Sequence, residues 1–72
     1  MITPQQADSL AEKTIVKYCQ ECGVDTPDDV RKACEMLISK AARAIEKYNG
    51  TESAIGVLNR TALYVSKARG ES

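Results

Sequence analysis

The chain has 72 residues with ten Lys plus Arg, ten Asp plus Glu, no His, Trp or Phe, and three Cys, so its formal charge is zero. That length holds one small helical domain over residues 1–72, and zero net charge argues against strong non-specific attraction to nucleic acid. Leu, Ile and Val supply only 14 residues and Ala supplies nine, so any core is thin. A domain this small sits close to the balance point between burial and ordering entropy, and a second subunit is one way to complete it.

The first helix start is Thr3-Pro4-Gln5-Gln6, where Thr caps, Pro takes the first helical position and Gln returns the hydrogen bond. Its periodic run ends at Gly23. Thr26-Pro27-Asp28-Asp29 repeats the grammar, with two carboxylates at the positive end of the helix dipole, and this run ends at Gly50. Thr51-Glu52-Ser53 opens the last helix, for which Gly70 is the stop. The spacing therefore predicts helices over about 4–22, 27–49 and 52–69. Short connections make consecutive helices fold back, giving an all-α, small antiparallel three-helix bundle, with dimerisation as its completion.

At helical spacing Ala7, Ala11, Thr14, Ile15, Tyr18 and Cys22 share one face of the first helix. Val30, Cys34, Leu37, Ala41, Ala44 and Tyr48 share one of the second, and Ala54, Val57, Leu58, Thr61, Val65 and Ala68 one of the third. One apolar residue per helix is left on the far side: Val16, Met36 and Leu63. Met36 lies in the row Lys32, Met36, Lys40, Arg43, Lys47, a basic edge suited to an acidic protein surface. Leu63 lies in the row Gly56, Arg60, Leu63, Lys67, where a glycine permits close approach and a second copy can dock. A solvated charged face is the bland alternative for both rows.

Cys19-Gln20-Glu21-Cys22 with Cys34 supplies at most three thiolates and no His, one ligand short of structural zinc. The pair also sits at a helix C-terminus, where the dipole opposes a thiolate. These cysteines read as small apolar residues, and neither a metal nor another cofactor is expected. No nucleophile and base can be paired, so the chain does not read as an enzyme. Its N-terminus lacks the basic and apolar regions of a signal peptide and no stretch reaches the length of a membrane span, so the reading is cytoplasmic and without membrane contact. The initial Met and charged tail read as a complete gene product.

By elimination the expected function is a small non-enzymatic helical interaction module, a regulator or inhibitor that occupies a surface on a larger protein and forms a homodimer. Proteins of that size and style are often carried by phages and mobile elements, which is analogy only. The alternative is a nucleic-acid-binding regulator using the basic edge of the second helix with Arg60 and Lys67, although Asp28-Asp29 would repel phosphates at a reading-helix start.

Overall fold

In a computed structural model, which describes the backbone of residues 1–70 and the side chains of residues 1–68, the chain is three α-helices. Helix α1 spans Pro4–Cys22, α2 Pro27–Asn49 and α3 Thr51–Gly70, and no strand occurs among the described residues. The helix boundaries follow the capping signals to within a residue. The stop expected at Gly70 coincides with the last described residue.

The ends of α1 are closed by local hydrogen bonds. Gln6 N–H donates to Thr3 Oγ1 at 3.2 Å while Thr3 N–H donates to Gln6 Oε1 at 3.0 Å, a reciprocal capping box with Pro4 inside it. At the other end Gly23 adopts φ 71°, a left-handed conformation that costs glycine nothing. Its N–H donates to Gln20 O at 3.1 Å and that of Val24 to Cys19 O at 3.2 Å, which together satisfy two orphan carbonyls.

Helix α2 starts with Asp29 N–H on Thr26 Oγ1 at 3.1 Å, while Asp29 Oδ2 accepts from Asp25 N–H at 3.2 Å. The returning carboxylate thus holds the residue before the cap and places a negative charge at the positive helix end. Helix α3 starts differently. Gly50, at φ 95°, turns the chain and accepts Ala54 N–H at 3.2 Å, and the Thr51 hydroxyl donates back to Glu46 Oε2 at 3.2 Å instead of capping.

The chain divides into two compact units, one comprising Met1–Leu37 and the other beginning at Ile38, with the division inside α2. In the first, α1 and the N-terminal part of α2 form a helical hairpin joined by the turn at Gly23. The Tyr18 hydroxyl crosses that hairpin and donates to Ala33 O at 2.9 Å, and Tyr18, Cys19, Ala33, Cys34 and Leu37 are half-buried around it. In the second unit the C-terminal part of α2 pairs with α3, and Ala54 is the single buried residue among those described.

Several expected core positions are corrected here. Cys22 is exposed and Cys19 takes the half-buried place, because Cys22 is the last residue of α1 and stands beside the turn. Ala41, Ala44 and Tyr48 are exposed, whereas Ala42 and Ile45 are half-buried. A two-helix hairpin covers only a narrow strip of each helix, and so Ala11, Thr14, Ile15, Val30, Leu58, Thr61, Val65 and Ala68 also remain exposed.

Removing the cap of α2 by Thr26→Ala should lower stability by roughly 0.5–2 kcal/mol. Urea denaturation followed by circular dichroism measures this, and an unchanged midpoint would show that the hydroxyl carries no weight at that start.

Candidate interaction surface

The row assigned to a partner falls on α2. Its first two members belong to the first unit. Lys32 Nζ pairs with Asp28 Oδ2 at 3.3 Å, and Met36 stands 60% exposed. Both border an open groove whose other walls include Tyr18, Cys22, Val24, Asp29 and Ala33. Asp28 also takes the Arg31 guanidinium, Nε at 3.2 Å and Nη2 at 3.1 Å, and Arg31 Nη1 reaches Glu35 at 3.6 Å. Asp28 and Glu35 thus pair with Arg31 and Lys32 at the surface, and Met36 stands exposed beside them.

In the second unit Arg43 Nη1 lies 3.7 Å from Glu46 Oε1, and Lys47 Nζ lies 5.5 Å from the centroid of the Tyr48 ring. Lys40 is exposed between these two groups and Met36 along the sequence. Exposed pairs of this kind at three- and four-residue spacing contribute a few tenths of a kcal/mol and are broken easily, so the cations can still meet a stronger acidic partner.

The row assigned to self-association lies on α3. Leu63 is 68% exposed, and Arg60 and Lys67 are exposed on either side. Arg60 Nη1 comes within 3.4 Å of the place a Cβ would occupy on Gly56, so the glycine's open space is lined by the arginine of its own helix. Val16, the outward apolar residue of α1, is exposed as well.

The structure adds an exposed stripe on α3. Ile55, Leu58, Ala62 and Val65 recur at three, four and three residues, and all four are exposed. The heptad-like spacing was the available signal. Leu58 and Val65 belong to the face expected inward, whereas Ile55 and Ala62 fall beside it.

The cysteines are free thiols, and among the described residues no cluster of three His, Cys, Asp or Glu side chains is arranged to hold a metal. Burial pushes the Cys19 thiol above its ordinary value, with Cys34 adding to the effect, and burial likewise raises the Tyr18 hydroxyl, with Cys22 contributing. The Tyr18 hydroxyl keeps the proton that it donates to Ala33 O. Among the described residues no helix is long and apolar enough to cross a membrane. No protein-family model matches the chain, and no match is found among curated proteins or solved structures.

The raised pKa values have a sign. Folding holds these protons more tightly than the unfolded chain does, so the contribution is fully present below the ordinary values of 9.0 for Cys19 and 10.0 for Tyr18. It is lost as pH rises through the elevated ones. The urea midpoint of the wild type should fall between about pH 8 and about pH 10.5, and the Tyr18→Phe, Cys19→Ala double variant should show a shallower fall. Equal slopes for both proteins would assign the alkaline loss to other groups.

Proposed function

We infer that the chain is a small non-enzymatic helical interaction module, a cytoplasmic regulator or inhibitor that acts by occupying an acidic surface on a larger protein. The observation that carries this reading is Met36, an exposed polarisable anchor whose neighbouring cation, Lys32, is held only by a surface ion pair. Lys40, Arg43 and Lys47 extend the same α2 row in the second unit. A thioether packs against irregular apolar surfaces, while surrounding cations accelerate encounter and set orientation. The module also self-associates through α3, since a chain with so few large apolar side chains gains stability from a second copy.

The test is capture from lysate with the tagged chain as bait, followed by direct binding of variants to the recovered protein. Met36→Ala should raise Kd roughly tenfold with little change in association rate. The double substitution Lys40→Glu with Arg43→Glu should slow association and flatten its salt dependence. A recovered protein that binds all variants equally would remove the row from the interface. Tight binding to a duplex or single-stranded oligonucleotide, abolished by the charge reversals and indifferent to Met36→Ala, would replace the protein partner by nucleic acid.

A further inference from the structure

The first unit gathers all three thiols of the chain around one hydrogen bond. Tyr18 on α1 donates to Ala33 O on α2 at 2.9 Å, and the next residue on each helix is a cysteine, Cys19 on one and Cys34 on the other. Both are half-buried, and both belong to Met1–Leu37, so their placement is settled inside a single hairpin. Cys34 stands within hydrogen-bond reach of the Cys19 thiol, and Cys22 within reach of the Tyr18 hydroxyl. Two thiols from different helices thus meet side by side across the hairpin.

The third cysteine is placed differently. Cys22 is the last residue of α1, exposed, and borders the open groove beside Tyr18. It shares a continuous helix with Cys19, whose backbone holds one side chain in the covered strip and the other toward solvent. Cys34 is therefore the thiol that Cys19 faces. Burial, which raises the Cys19 thiol above its ordinary value, keeps it protonated and slow to react at rest.

We propose that Cys19 and Cys34 are a reversible redox pair that closes to a disulfide across the first hairpin by exchange with a small-molecule disulfide of the glutathione class. One cysteine thiolate attacks a sulfur of the small disulfide and displaces its first half as a thiolate, leaving a mixed disulfide. The second cysteine thiolate attacks the protein sulfur of that mixed disulfide and displaces the other half. Two electrons pass from the cysteines to the oxidant, and the two protons that the cysteines lose end on the two released thiols. Closure ties α1 to α2 and removes freedom from the unfolded chain. In a reducing compartment the pair stands open, and it closes as the small-thiol pool becomes oxidised. The device needs neither the acidic partner nor a second copy of the chain.

Mapping the bond decides it. The reduced full-length chain is incubated with oxidised glutathione, its remaining thiols are alkylated, and it is cut after Lys, Arg and Glu. These cuts separate Cys19 in residues 18–21 from Cys22 in 22–31 and Cys34 in 33–35. The native chain should yield 18–21 joined to 33–35 as its main disulfide product, within one chain, and dithiothreitol should return both thiols. By circular dichroism the oxidised form should melt at least about 5 °C above the reduced form. Cys22→Ser should keep the link and the shift, whereas Cys19→Ser should lose both. In denaturing urea the same oxidant should no longer favour the 18–21 to 33–35 link.

Glutathione carried on Cys22 alone, a bond between Cys19 and Cys22, or a bond joining two chains overturns the pairing. So does a Cys19–Cys34 bond that leaves the melting temperature unchanged, or one that forms equally well in urea. If Cys19→Ser does not fold, the wild-type map still decides, since it needs no substitution at either half-buried position.

Discussion

A shortage of bulky apolar side chains governs this chain. Twelve of the fourteen Leu, Ile and Val residues, shared among three helices of about twenty residues each, cannot line every contact, and among the described residues the short side chain of Ala54 is the one buried. The helices depend correspondingly on their ends. Thr3 with Gln6, Thr26 with Asp29, and the left-handed Gly23 satisfy donors and acceptors that would otherwise compete for water. Such bonds are formed within a few residues of chain and need no distant partner. They define where a helix begins and stops, but not what its sides will meet.

That division explains what was legible in the sequence. The bounds of α1 and α2 could be read from Thr-Pro starts and glycine stops because capping is a local reaction between neighbouring groups. Helical periodicity likewise puts Val16, Met36 and Leu63 off the inward faces, and all three are exposed, but so are Ile15, Leu58 and Val65, which it puts inward. The covered strip of α2 could not be read so simply. Its N-terminal part uses Ala33, Cys34 and Leu37 against α1, while its C-terminal part uses Ala42 and Ile45 in the second unit, in place of the Ala41 and Ala44 that a single uninterrupted stripe implies. A heptad count assumes one partner along the whole helix, and here each unit supplies its own. Ala-rich faces worsen the ambiguity, since Ala41, Ala42 and Ala44 differ in position but not in size or polarity.

The hydrogen bond from Tyr18 to Ala33 O was equally hidden. Periodicity placed Tyr18 on an inward face, yet nothing in a sequence says which carbonyl a phenol will reach. Its role in the first hairpin resembles that of a bulky apolar residue with one added constraint, because the hydroxyl must remain protonated to donate. Burial and the neighbouring thiols push its pKa further up. Two of the three cysteines, Cys19 and Cys34, occupy half-buried positions in the same hairpin as the tyrosine, as small apolar side chains do.

Charge placement follows from the same economy. Asp25, Asp28 and Asp29 gather at the start of α2 because a helix with little core benefits most from carboxylates at its positive end, and Asp28 then collects Arg31 and Lys32. The acidic excess of the first unit is thus a by-product of stabilising a helix end. Among the cations in the C-terminal half of α2, Lys47 lies in the last turn, where the dipole favours it. A polarity that arises from capping one helix becomes available for recognition when the flanking surfaces stay apolar and open. Encounter between such molecules is then oriented by charge before any apolar contact forms. In the proposed complex with an acidic surface the apolar anchor decides how long the contact lasts, so salt should act on the rate of meeting and Met36 on the rate of parting.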